Sequence, residues 1–115
     1  MRAWSPEQVA QAAGGRLAAP VMLPGGPVRA VIDSRAAGPG DLFVGLVGEN
    51  VDGGRFAAQA LAGGAWGALV ASEHAGAGAD GSGAVIVADD PLAALQRLAT
   101  AWRRALGCPV VGITG

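Results

Sequence analysis

The sequence predicts an α/β domain, a small mixed sheet with flanking helices. Three observations carry this reading. From residue 54 onward, short apolar runs rich in Val, Ile and Leu alternate with segments of helical spacing. Glycine (20 residues) and proline (7 residues) supply many positions for turns and close backbone approach. The chain has 115 residues, 51% of them apolar, which suits one compact core and leaves no room for two.

The elements follow in order. Ser5-Pro6-Glu7-Gln8 reads as a helix start, with Ser5 as cap, Pro6 in the first turn and Gln8 three residues on, as in a capping box. Val9, Ala12 and Ala13 follow at helical spacing, and Gly14-Gly15 end the helix. The stretch 19–27 holds Pro20, Pro24, Gly25, Gly26 and Pro27 and is expected to be turn. Residues 28–33 form a short β-branched run that ends in Asp33-Ser34-Arg35. Gly38-Pro39-Gly40-Asp41 is turn chemistry, and 42–47 reads as a buried strand. A polar loop over 49–54 leads into a helix over 55–61, whose apolar face is Phe56, Ala57, Ala60 and Leu61, closed by Gly63-Gly64. Residues 66–71 form a strand, 72–83 a flexible surface loop, and 84–88 the next strand. The last helix is capped by Asp90 and opened by Pro91. It carries an apolar stripe of Leu92, Leu95, Leu98, Ala99, Trp102 and Leu106, while Gln96, Arg97, Arg103 and Arg104 face out. Gly107 ends it, and another buried strand is expected from Cys108 to Thr114.

Composition excludes several classes. Charged residues are 15% and the net charge is −1, the balance of a folded globular chain. No apolar stretch approaches the roughly 20 residues that span a bilayer, and the MRAWSPEQ start lacks a signal-peptide core. One cysteine allows no internal disulfide and fits a reducing cytoplasm. All eight basic residues are Arg, so a lysine-dependent phosphate site or Schiff base cannot lie within the chain. An isoelectric point near 5.6 without a basic run argues against nucleic acid as a partner.

Few residues offer chemistry. Asp33-Ser34-Arg35, at a strand end, combines a hydroxyl with a guanidinium and suits a phosphate or nucleotide; taken alone, the three residues read first as a turn with a surface ion pair. Asn50, Asp52, Gly53 and Gly54 make a second polar loop before a helix, and capping explains them as well. The C-terminal run 110–115, ending in Thr114-Gly115, opens as a phosphate loop opens, and the decisive Gly-Lys-Ser/Thr would have to follow it. His74, the only histidine, lies in the expected mobile loop, so neither a metal centre nor a Ser/His/Asp triad is supported. Asp89 and Asp90 read as capping, and no catalytic constellation is complete.

Taken together, these segments resemble the N-terminal region of the Mur ligases, which build the peptide of bacterial peptidoglycan precursors. That family's pattern appears here as Asp33-Ser34-Arg35, Pro39 to Leu46, Gly48, Asp52-Gly53, Phe56 and Gly64-Ala65, in order. Residues 85–115 resemble the family's link into its ATPase domain. Two positions depart from the pattern: Gly45 stands where Ala is usual, and Gly54 where His often follows Asp-Gly.

The resemblance implies that residues 1–107 bind the UDP end of a UDP-N-acetylmuramoyl-peptide, and that 108–115 begin the ATPase domain, with Thr114 and Gly115 opening its ATP-binding loop. It implies a UDP site of Ser34, Arg35, Ile32, Asn50, Val51 and Gly53, with Asp52 shaping the loop. The implied parent is a monomeric, cytoplasmic, ATP- and Mg2+-dependent ligase, through an acyl phosphate. The segment 98–115 resembles most the members that add D-alanyl-D-alanine; members adding the third peptide residue are the alternative. This chain alone is expected to bind neither ATP nor metal and to catalyse nothing. A stand-alone nucleotide-sugar-binding or structural module is the reading from another class.

Overall fold

The computed structural model of the chain describes residues 4–19, 21, 23, 25–47, 53–78 and 83–106. Among these, α1 spans Pro6–Ala13, β1 Arg16–Leu17, β2 Arg29–Val31, β3 Asp41–Val44, α2 Ala57–Ala62, β4 Gly67–Val70, β5 Ala84–Val87 and α3 Pro91–Leu106. A 3-10 turn over Gly53–Phe56 precedes α2, and a 3-10 segment over Ser72–Gly78 follows β4.

The strands form one sheet in the order β1-β5-β4-β3-β2. Strands β2 to β5 are parallel, and β1 closes one edge antiparallel to β5. Side chains alternate across this sheet as a period of two requires. Leu42, Val44, Leu69 and Ile86 point to one face, where Val9, Ala10 and Ala13 of α1 and Ala94 and Leu98 of α3 cover them. Phe43, Ala68, Val70, Val85 and Val87 point to the other, beneath Ala57, Ala60 and Leu61 of α2. The result is helix, sheet, helix, with register matching like to like: Val44 opposes Leu69, and Leu69 opposes Ile86.

Local chemistry explains the ends of these elements. Ser5 Oγ accepts the Gln8 N–H at 3.2 Å while Gln8 Oε1 accepts the Ser5 N–H at 2.7 Å, the reciprocal capping box read from sequence. Gly14 ends α1 with φ 73°, a left-handed C-cap that favours glycine. Asp90 Oδ1 accepts the N–H groups of Leu92 and Ala93 at 3.1 and 3.3 Å and caps α3.

Asp41 is the one buried charged residue among those described. Directly opposite Arg29 in the β2–β3 register, it accepts from Arg29 Nε (2.7 Å), Arg29 Nη2 (3.1 Å) and the Gly38 N–H (2.9 Å). It thereby ties down the short crossover 32–40, which joins two parallel strands without a helix. Trp66 Nε1 donates to the Gly25 carbonyl at 2.7 Å and anchors the segment before β2.

The structure differs from the sequence reading at four places. Strand β1 was not anticipated from Arg16-Leu17, and it forms on the edge that β5 presents. Residues 72–78 form 3-10 turns with a kink at His74 (φ −106°, ψ 15°) where an open loop is expected. Leu92 lies outside the buried stripe of α3, at 50% exposure in the first turn, while Ala94 and Leu98 carry the packing. Phe56 lies outside the core, 41% exposed, in the 3-10 turn before α2. The strand expected over 108–114 and the helix stop at Gly107 lie outside the described residues.

Candidate functional site

Because β2 to β5 run parallel, the loops after them gather at one end of the sheet, where α/β folds build ligand sites. At that end, beyond β2, lies a depression of about 530 Å³ lined by Ile32, Asp33, Ser34, Arg35, Phe56 and Gln59. Three of the expected site residues, Ile32, Ser34 and Arg35, are thus brought together. Gly53 follows at the same end, beyond β3, its N–H donating to the Leu46 carbonyl at 2.7 Å. Asn50, Val51, Asp52, Thr114 and Gly115 lie outside the described residues.

The turn after β2 is built by Asp33. Its Oδ1 accepts the Arg35 N–H at 2.9 Å and Arg35 Nε at 3.3 Å, and its carbonyl accepts the Ala36 N–H at 3.0 Å. The Arg35 backbone N–H, seconded by its guanidinium, holds the Asp33 carboxyl below the usual carboxylate range. Asp33 is therefore an anion at neutral pH, committed to shaping the turn. The Arg35 side chain is 82% exposed and touches Asp33 through Nε, which leaves the outer edge of its guanidinium to solvent. Ser34, half-buried between them, has no hydrogen-bond partner for its hydroxyl among the described residues.

The opposite wall comes from elsewhere in the chain. Phe56 and Gln59 enter from the 3-10 turn and α2, more than twenty residues after Ser34. Sequence reading assigned Phe56 to the core and gave Gln59 no role. No sequence signal separates Phe56 from the core positions that follow it, because its exposure depends on the 3-10 turn ahead of α2. With Ile32, Phe56 makes an apolar wall, and Gln59 adds an amide that can both donate and accept. An apolar wall, a free hydroxyl and an exposed guanidinium together suit a flat heterocycle joined to phosphate.

A second depression, of about 550 Å³, lies between α1 and α3 and is lined by Ala12, Ala93, Gln96, Arg97, Thr100, Ala101 and Arg104. The Thr100 hydroxyl there donates to the Gln96 carbonyl, as on any solvated helix face.

Comparison with known proteins identifies the family and the fold. The family model described as "Mur ligase family, catalytic domain" matches residues 30–103. A Synechococcus UDP-N-acetylmuramoyl-L-alanyl-D-glutamate--2,6-diaminopimelate ligase is 41% identical over 87 residues, covering 72% of this chain and 17% of the relative. A Synechocystis UDP-N-acetylmuramoyl-tripeptide--D-alanyl-D-alanine ligase is 37% identical over 83 residues, covering 72% and 18%. Among solved structures, a MurF from Acinetobacter baumannii superposes with a TM-score of 0.70 at 33% identity, over 90% of this chain and 21% of that one. The chain thus spans about one fifth of the relatives it matches. It belongs to the Mur ligase family, with the fold of that family's N-terminal domain.

Proposed function

We propose that this domain binds the uridine diphosphate end of a UDP-N-acetylmuramoyl-peptide for a ligase of peptidoglycan-precursor synthesis. One observation carries the reading: the depression beyond β2 sets Ser34 and Arg35 against the apolar wall of Ile32 and Phe56. Uracil lies against that wall, with Gln59 reaching its polar edge, and the Arg35 guanidinium turns toward the diphosphate. Asp33 keeps the turn in place meanwhile, because its bond to the Arg35 backbone N–H survives when the side chain swings away. Gly53 stands beyond β3 at the same end of the sheet, and by the family resemblance we assign Asn50 and Val51 to the same grip, with Asp52 shaping their loop.

The parent ligase uses ATP and Mg2+ to activate the substrate carboxylate, and we assign both to parts of the protein beyond residue 107. The domain's own contribution is positional. Anchoring the remote nucleotide holds the reacting carboxylate in place, so binding energy here lowers the barrier elsewhere.

Within the family we favour addition of D-alanyl-D-alanine, which the likeness to MurF structures and the segment 98–115 support. Addition of the third peptide residue is the second reading, favoured by the 41% identity to the diaminopimelate ligase. Supplying the parent protein with ATP and either tripeptide precursor plus D-alanyl-D-alanine or dipeptide precursor plus diaminopimelate separates the two.

The site itself is tested by calorimetric titration of UDP. Losing a charge-assisted hydrogen bond makes Arg35→Ala weaken binding about tenfold or more. Ser34→Ala weakens it roughly two- to tenfold, and Phe56→Ala, which removes a stacking surface, at least about fivefold. Unchanged affinity in folded Ser34→Ala and Arg35→Ala variants refutes the site.

A further inference from the structure

We propose that His74 is a positioning residue for this pocket, acting through Gly54 on the turn that carries Phe56; this rests on reading the pocket as the UDP site. The geometry is a three-layer stack. A Cβ placed on Gly45 would lie 2.6 Å from Gly54 Cα and 2.7 Å from its nitrogen. A Cβ placed on Gly54 would lie 2.8 Å from Cγ and 2.9 Å from Nε2 of the His74 imidazole. Neither glycine has a positive φ, so the backbone does not demand glycine at either position. Space does. The imidazole occupies the volume in which a side chain at position 54 would begin.

Both outer layers are fixed. Gly45 extends β3, its N–H donating to the Leu69 carbonyl at 2.9 Å. His74 hangs from the end of β4, its N–H donating to the Ala71 carbonyl at 3.0 Å, with Ala75 beside it packed against the core beneath α2. Gly54 is clamped between them, two residues before Phe56 in the same 3-10 turn. The thickness of the stack therefore sets how far the Phe56 wall stands from Ser34. Position 45 and position 54 are also where the sequence departs from the pattern it resembles, and they meet in this contact.

The test is a swap, read by UDP calorimetry and by hydrogen exchange of the Gly53–Phe56 amides in the unliganded protein. His74→Ala is expected to weaken UDP binding about fivefold and to speed exchange in the 3-10 turn. Gly54→Ala, whose Cβ expels the imidazole, is expected to do the same. Its combination with His74→Ala should be no worse than His74→Ala alone, because both break one contact. Returning the imidazole from the other side, as Gly54→His with His74→Ala, is expected to restore affinity to within about twofold of wild type. Wild-type affinity and exchange in His74→Ala, single effects that multiply in the double variant, or failure of the swap to restore either readout overturns the proposal. If wild type does not bind UDP, the ligand reading fails, and the exchange pattern of the same variants still decides whether His74 sets the turn.

Discussion

Replacing Asp41 by Asn tests how the β2–β3 crossover is held. The carboxylate is 4% exposed, and it receives three donors: two from Arg29 and one from the Gly38 backbone. Asparagine keeps the volume but has one acceptor oxygen, and its amide group faces donors. A charge-assisted hydrogen bond contributes about 1.5–3 kcal/mol. Because the Arg29 side chain is 62% exposed and returns to water, the lower end applies, about 1.5–2 kcal/mol, mostly from the Gly38 N–H and the carboxylate's lost partners. For a domain near 100 residues this lowers Tm by about 6–16 °C at pH 7. The pH dependence gives an internal control. The hydrogen bonds from Arg29, helped by the Gly38 N–H and opposed by burial, hold the Asp41 carboxyl below the usual carboxylate range. A depressed carboxylate stabilises the fold fully above its unfolded pKa of about 3.9, and that stability drains as pH falls through the lower folded value. Wild-type Tm is therefore expected to be level above about pH 5 and to fall below about pH 4, converging on the variant once Asp41 is protonated. Thermal melts followed by circular dichroism from pH 2 to 7 read both effects. A variant Tm within about 2 °C of wild type at pH 7, or a gap that does not narrow as pH falls below about 4, refutes the reasoning.

Two further substitutions probe the frame of the domain. Ser5→Ala removes one half of the capping box of α1 and is expected to cost about 1 kcal/mol, seen as a Tm lower by about 4–8 °C with UDP affinity unchanged. Trp66→Phe leaves the Gly25 carbonyl without its indole donor and is expected to cost about 1 kcal/mol, with faster limited proteolysis near Gly25 as the local readout.

Much of this fold is legible in the sequence, for reasons that are local. Ser5-Pro6 with Gln8, and Asp90-Pro91, announce helices α1 and α3 through side chains that satisfy their own backbone N–H groups. Strands β3, β4 and β5 announce themselves as apolar runs, because both faces of a parallel sheet are covered. What was not legible depends on partners. Two residues, Arg16 and Leu17, carry no strand signal, and the ladder offered by Val87 and Ile86 makes them one. Helical periodicity put Leu92 and Phe56 in apolar stripes but cannot say where along a helix the covered face begins. The same division holds at the site. Ile32, Ser34 and Arg35 sit together in sequence and could be read there, whereas Phe56, Gln59 and the Gly54–His74 contact exist only once β3 and β4 lie side by side.

The arrangement of the outer layers bears on how the chain reaches this structure. The two amino-terminal elements have their partners at the far end of the sequence: α1 packs on α3, and β1 pairs with β5. Val9 and Leu98 share one core cluster across roughly ninety residues, so this closure carries the loop-entropy cost of a high-contact-order topology. During synthesis at about 5–20 residues per second, α1 waits on the order of 5–20 s for its cover. Meanwhile β2, β3, α2 and β4 can pair with their neighbours in order of emergence, each needing only what has already been made. The amino-terminal helix can complete its packing only when α3 arrives; until then eight residues make a marginal helix, and the capping box biases rather than fixes its conformation.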